Sequence, residues 1–410
     1  MEMELRKVRL GEIASFVADK VRSDNITLQE YVTTDSLLQN KAGRTIAQNL
    51  PPQPCSLTRY KSGDVLVGNI RPYLKKIWLA DGGGGCSNDV LAFRVKEGFS
   101  SSFLYAILSQ DAFFDYLMLA AKGSKMPRGD KDHAMRFKVP SIPIEQQRRI
   151  GKLLSDLDRK IALNRRMNAT LEAMARQLYD YWFLQFDFPD AHGKPYKSSG
   201  GKMTWNNKLK KEIPEGWEVK SIDEIEANIV TGKTPSCADS ENFNGDIPFV
   251  TIDDIRGNLF VFNSQRTLSK KGADSQKNKY LPIGSLCVSC IGTVGVMGFI
   301  AKLSQTNQQI NSIIFENECN KEFLYFSLIK YFENAKAKTG NVFANMSKEE
   351  FASIKVVYPP KQSLLPYHDK AASLLRYIKN NIREISVLTR LRTTLLPLLM
   401  NGQVEVTKAL

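Results

Sequence analysis

Phe103-Leu104-Tyr105-Ala106-Ile107-Leu108, then Lys122-Gly123-Ser124, then Val139-Pro140 and Ile142-Pro143-Ile144-Glu145-Gln146-Gln147, lead into a helical stretch holding Ile161, Asn164, Leu171 and Leu178. The chain says this twice. The second statement reads Phe323-Leu324-Tyr325-Phe326-Ser327-Leu328, Thr339-Gly340-Asn341, Val357-Tyr358-Pro359-Pro360-Lys361-Gln362, then Ile378, Asn381, Leu388 and Leu395. Each landmark returns after about 220 residues, far beyond the roughly 20–50 residues of a solenoid unit. The spacing therefore indicates a duplicated domain.

Between the landmarks, residues 1–140 carry short β-type runs cut by turn signals, such as Lys61-Ser62-Gly63-Asp64 before Val65-Leu66-Val67, the Gly82–Gly85 run, and Val90-Leu91-Ala92-Phe93-Arg94-Val95. Residues 213–357 repeat that style. After each β-rich part, apolar positions step by three or four: Ile150, Leu154, Leu157, Ile161, Asn164, Met167, Leu171, Met174, Leu178 and Trp182 first, then Leu374, Ile378, Ile382, Ile385, Leu388, Leu391 and Leu395, with Pro397 as the expected stop. Each stripe alone would stay wet. Laid antiparallel they cover one another in coiled-coil fashion, through Ile150, Leu154, Leu157, Ile161, Leu171 and Leu178 on one side and Ile378, Ile382, Ile385, Leu388 and Leu395 on the other. A helix of about 38 residues is about 57 Å long.

The expected fold is thus α/β (α+β), with two β-rich domains of the same fold at 1–143 and 213–359. Long helices at 144–186 and 360–403 join them as an antiparallel pair with a pseudo-twofold, and an exposed basic linker occupies 187–212. A chain of 410 residues should form more than one core, and two copies supply two. A hydrophobic fraction of 42% with 24% charged residues is that of an ordinary globular protein, which argues against disorder. No apolar run nears the roughly 18–20 residues of a membrane span, and the N-terminus lacks a signal-peptide core, so a cytoplasmic protein with no membrane partner is expected.

The net charge of +14 suits a polyanionic partner, since neutralising phosphates releases counterions. Catalytic signals are weak. Six cysteines lack framework spacing, and Cys287-Val288-Ser289-Cys290 has no second pair to complete a zinc site, so buried thiols and no metal are expected. Glycines 292, 295 and 298 read as turns or bulges. Pro189-Asp190 with Glu218-Val219-Lys220 matches a metal-nuclease pattern, but its first half falls in the linker. No Walker loop and no methyltransferase base-holding loop is present.

Polar, basic and turn-rich residues do sit at matching places in the two copies. In the first they are Asn69, Arg71, Tyr73, Lys75, Lys76, Asn88, Lys122, Ser124, Lys125 and Arg128. In the second they are Thr231, Lys233, Thr234, Asn307, Gln308, Gln309, Asn311, Lys338 and Asn341. Arg and Lys grip phosphate or read guanine, and Asn and Gln pair with adenine.

The chain resembles the specificity subunit of type I restriction-modification systems, HsdS, over nearly its whole length. Ile213-Pro214-Glu215-Gly216-Trp217 resembles the start of a target recognition domain in that family, and Thr231-Gly232-Lys233-Thr234-Pro235-Ser236 resembles its Gly-Gly-Thr-Pro-Ser segment. Gly63-Asp64-Val65-Leu66, Ile70-Arg71-Pro72-Tyr73-Leu74-Lys75, Asn307-Gln308-Gln309-Ile310-Asn311 and the Ile142–Gln147 helix start are further family phrases. The first copy begins at Leu5 without the Gly-Trp pair, and Lys361-Gln362 stands where the first copy has Glu145-Gln146-Gln147. The resemblance implies a non-catalytic subunit that reads a split double-stranded DNA target with two target recognition domains. It implies two methyltransferase (HsdM) subunits and restriction-translocase (HsdR) subunits as partners, with S-adenosylmethionine, ATP and Mg held by those partners and no cofactor here. A self-sufficient nuclease or methyltransferase, or a scaffold that does not bind DNA, are the competing classes.

Overall fold

The computed structural model describes residues 6–339 and 345–407, and the chain divides into two units, Met1–Ala162 with Ser386–Leu410, and Leu163–Ile385. In the first unit an antiparallel sheet runs in the order Ala14–Phe16, Val90–Val95, Val65–Gly68, Ile77–Leu79. A second sheet holds Lys20–Arg22, Ser56–Tyr60, Gly84–Cys86 and Tyr31–Val32. The second unit repeats the first sheet as Ile229–Thr231, Ile310–Ile313, Leu286–Ser289, Met297–Ile300, and adds Phe260–Val261 at its edge. Its other sheet holds Arg266–Leu268, Phe243–Val250 and Gln305–Thr306.

The central strands read as unbroken apolar runs because both their faces are covered. Side chains alternate along a strand. Val65 and Val67 therefore enter the cluster formed with helix Ser101–Leu108, while Leu66 enters the one shared with Tyr60 and Cys86. The same alternation sends Leu286 and Val288 to one side and Cys287 to the other, so Cys287 occupies the place that Leu66 holds in the first copy. That is packing chemistry, and burial pushes the Cys287 thiol up to about 12 and the Cys290 thiol to about 11.

Each domain is closed by its own ends. Lys7–Arg9 pairs antiparallel with Lys138–Pro140, and Glu218–Ser221 pairs likewise with Lys355–Tyr358. The first copy thus begins on the same strand pairing as the second although it lacks the Gly-Trp pair. A one-turn helix follows each opening strand, started by Glu12 accepting from Arg9 N at 2.7 Å and by Glu224 accepting from Ser221 N at 2.6 Å.

The long helices span Ile144–Tyr179 and Lys361–Met400. The early part of the first helix packs with the late part of the second in one unit: Ile150 and Leu154 share a cluster with Leu396, Leu399 and Met400, with Leu157 and Leu395 packed against it. In the other unit, Ala175 and Tyr179 share a cluster with Leu364, Tyr367, Ala371, Leu375 and Ile378, flanked by Leu171, Leu178 and Ile382. Within each unit the pairing is antiparallel. Ile161 is buried, and Ile385 and Leu388 are half-buried.

Three expectations need correction. Met167, Met174 and Leu391 are exposed, and the seam one residue further on is filled by Asn168, Ala175 and Arg392. Asn168 accepts from Asn381 Nδ2 at 2.9 Å, Asn164 Nδ2 donates to Glu384 at 2.7 Å, and Arg392 reaches Asp158 at 2.6 Å. Pro397 does not end the second helix, which continues through Leu399 and Met400, both anchored in a core whose burial offsets the donor that Pro397 lacks.

The segment expected as an exposed basic linker is also folded. Phe186 and Phe188 are buried, Phe188 stacks on Tyr196 and on Trp217, and Met203–Asn206 forms a hairpin with Lys211–Pro214. Aromatic burial outweighs the Pro, Gly, Ser and Lys content that suggested a tether. Among the described residues no helix is long and apolar enough to cross a membrane.

Candidate nucleic-acid interface

In the first copy the loop leaving strand Val65–Gly68 is held from two sides. Asn69 N donates to Asp89 O at 2.8 Å and Arg71 N to Pro127 O at 2.7 Å, with Arg128 bridging to Ile70 and to Lys122. Segments 69–76, 87–89 and 122–128, three of the regions singled out by residue type, therefore meet. A fourth joins them: Asn40 N donates to Leu74 O and Lys41 N to Lys75 O, each at 2.9 Å. Arg71, Lys75, Asn40 and Lys41 all have left-handed backbones, with φ of 52°, 51°, 54° and 62°. For a side chain with a Cβ that conformation costs roughly 1–2 kcal/mol per residue. An exposed ion pair returns at most about 1 kcal/mol, so the loop-to-loop hydrogen bonds must carry most of the offset.

Not every cation here is free to meet a ligand. Lys75 lies 3.0 Å from Asp111, which also takes Lys41 Nζ at 2.6 Å. The Lys41 ammonium, seconded by Lys75, holds the Asp111 carboxyl below its usual range. Lys76 Nζ donates to Thr34 O, and Arg128 is paired with Asp89. Asn69 is buried, and the Nε of Arg71 is buried with no hydrogen-bond partner among the described residues. Tyr73, Asn88, Lys122, Ser124 and Lys125 are exposed, Lys122 standing 3.9 Å from Asp130. Lys41, Asp89 and Asp111 complete the cluster and were not picked out by residue type.

The second copy brings together the two groups that residue type suggested separately. Thr231 Oγ1 donates to Asn311 Oδ1 at 2.7 Å and Thr234 Oγ1 to Gln308 Oε1 at 2.8 Å, while Lys233 N donates to Thr306 O. Asn307 Nδ2 donates to Gln309 Oε1 at 3.0 Å. Lys233 and Gln308 are exposed. The backbone scheme of the first copy recurs: Cys290 N donates to Gln309 O at 2.8 Å as Asn69 N does to Asp89 O, and Ile291 bridges to Asn345 as Ile70 does to Arg128. Gly292, with φ 79°, thus stands where Arg71 stands. Arg256, whose Nη2 is 3.5 Å from Thr293 Oγ1, belongs to this group and was missed. Lys338 lies in the last turn of helix Asn320–Thr339; its side chain, like Asn341, falls outside the described residues.

These groups can grip phosphate and hydrogen-bond base edges. The nuclease-like pattern is dispersed into local structure: Asp190 accepts the N–H groups of His192 and Lys194 in a turn, and Glu218 is paired with Lys220. Among the described residues no three His, Cys, Asp or Glu side chains gather as a metal would require.

Comparison with known proteins agrees with the repeat. The family described as "Type I restriction modification DNA specificity domain" matches twice, over residues 4–173 and 214–384. The type I restriction enzyme HindI specificity subunit of Haemophilus influenzae is 28% identical, covering 97% of this chain and 99% of its own. The MjaIX specificity subunit of Methanocaldococcus jannaschii is 22% identical over 93% of this chain and 86% of its own. In fold, the crystal structure of the type I restriction-modification S subunit from M. genitalium aligns with a TM-score of 0.61 at 15% identity, covering 98% of this chain and 96% of that one.

Proposed function

The chain belongs to the type I restriction modification DNA specificity family, and on that premise we propose how its two copies divide the work. The protein is the non-catalytic DNA-specificity subunit of a type I restriction-modification complex. Each copy reads one half of a bipartite duplex target with the loops at the end of its central strands, around Arg71 in the first and around Thr231–Thr234 and Asn307–Asn311 in the second. The chain passes between the units within the two long helices. Two methyltransferase subunits and the restriction-translocase subunits assemble on it in the cytoplasm, and S-adenosylmethionine, ATP and Mg act on those partners.

One observation carries this division: the same backbone scheme recurs at the two strand ends with different side chains on it, Asn69, Arg71 and Asp89 against Cys290, Gly292 and Gln309. Equivalent loops with unlike donors and acceptors suit two unlike half-sites. The test is to map methylated bases in cells with and without the gene. A two-part methylated motif should vanish on deletion and return on complementation; an unchanged methylome would refute the proposal.

A further inference from the structure

In the first unit every described non-glycine residue with a left-handed backbone (Asn40, Lys41, Arg71 and Lys75) sits in one platform beside the loop assigned to DNA. A single carboxylate staples it. Asp111, the first residue of helix Asp111–Leu119, receives Lys41 Nζ at 2.6 Å and Lys75 Nζ at 3.0 Å, one from each strained segment. Its own side chain stays 59% exposed while the two lysines are drawn in to 21% and 28%.

A carboxylate facing a polyanion lowers affinity by simple charge. It also takes up two cations that would otherwise meet phosphate. Exposed ion pairs add little to folding stability, so the value of this one lies in where it puts the loop. The second copy makes the corresponding turn on Gly292 and Gly295, with φ of 79° and 89°, where glycine needs no staple.

We propose that Asp111 is a positioning residue for DNA reading by the first copy: through Lys41 and Lys75 it fixes the loop that presents Arg71 and Tyr73, without touching DNA itself. The inference rests on the DNA-reading role proposed above. It predicts that Asp111→Asn and Lys41→Met, which change charge in opposite directions, damage recognition in the same way and in only one half of the target.

The experiment uses the full chain assembled with its methyltransferase partner and a pool of random-sequence duplexes, selected by binding and then sequenced. Wild type should select two separated base motifs. Both variants should lose at least about tenfold of the discrimination in one motif, the scale of one good base contact, and keep the other, which serves as the internal control for folding. Asp111→Glu should restore part of the loss. If Asp111→Asn tightens and Lys41→Met weakens binding to all duplexes alike, Asp111 is only a surface charge and the inference falls. Variants that keep both motifs, or lose both equally, overturn it as well. A wild-type complex that selects no motif refutes the DNA-reading role itself, and this inference with it.

Discussion

The same place in the two copies is built in two ways, and the first long helix against the second shows it most plainly. Gly151 lies so close to helix Ser101–Leu108 that an added Cβ would stand 2.2 Å from Ser102 Oγ and 2.9 Å from Phe103 N. At the matching point of the second copy, His368 reaches across to Glu322 at 2.6 Å. One copy closes the contact by bringing backbones together, the other by a polar pair between longer side chains. Duplicated domains can therefore keep a shape while exchanging the interaction that holds it. Gly151→Ala should break the first solution: overpacking of this kind costs about 1–3 kcal/mol, lowering the melting temperature of the first unit by several degrees. His368→Ala leaves the buried Glu322 carboxylate without that partner and should cost the second unit about 1–3 kcal/mol. Either loss appearing in the other unit would mean that the two contacts are not equivalents.

The reading loops sharpen the comparison. Arg71 accepts a left-handed backbone that Gly292 adopts freely. Arg71→Gly should raise the stability of the first unit by about 1 kcal/mol while weakening DNA binding and lowering its salt slope by about 1. In the reverse change, Gly292→Arg, the added Cβ meets nothing among the described residues closer than the Gln309 amide at 4.0 Å, so the left-handed backbone sets its main cost, about 1–2 kcal/mol. Thermal unfolding together with binding measured across salt concentrations checks both. If Arg71→Gly destabilises, the arginine side chain is holding the loop as well as presenting charge.

How far the sequence disclosed this architecture depends on the range of the interaction. Duplication, the two stripes and the strand-end loops are local patterns and were readable. The seam residues were not, because counting apolar side chains selects Met167, Met174 and Leu391, whereas Asn168, Ala175 and Arg392 occupy the interface through size or a polar partner on the other helix. Residue type picked Lys75 as a phosphate ligand, yet its partner Asp111 also holds Lys41 from 70 positions away, and no spacing rule reports such a clamp. Phe188 was overlooked inside a run dominated by turn formers, although Trp217 stacks on it and helps bury it. The expectation of buried thiols holds for Cys86, Cys287 and Cys290 but not for Cys55 and Cys237, which are exposed, and the equivalence of Cys287 to Leu66 emerges only when the two sheets are aligned.

The smallest expected effect distinguishes the two helix contacts by pH. The Glu322 carboxylate, accepting from His368 Nδ1, raises the imidazole above its ordinary value, with Asp369 and Glu318 adding to the shift against partial burial. A group whose pKa is higher in the folded state stabilises fully below its unfolded value, about 6.5, and loses that contribution as pH rises through the folded value. The second unit should therefore melt slightly lower on the alkaline side of that window, by roughly 1–2 °C because the pair is partly solvated. The Gly151–Ser102 contact has no titrating group and should give the first unit no such slope. Trp182, Trp205 and Trp217 lie in the second unit and Trp78 in the first, so tryptophan fluorescence of a Trp78→Phe protein follows the second unit alone. His368→Gln should flatten its pH dependence; a slope that survives the substitution would assign the effect to another group.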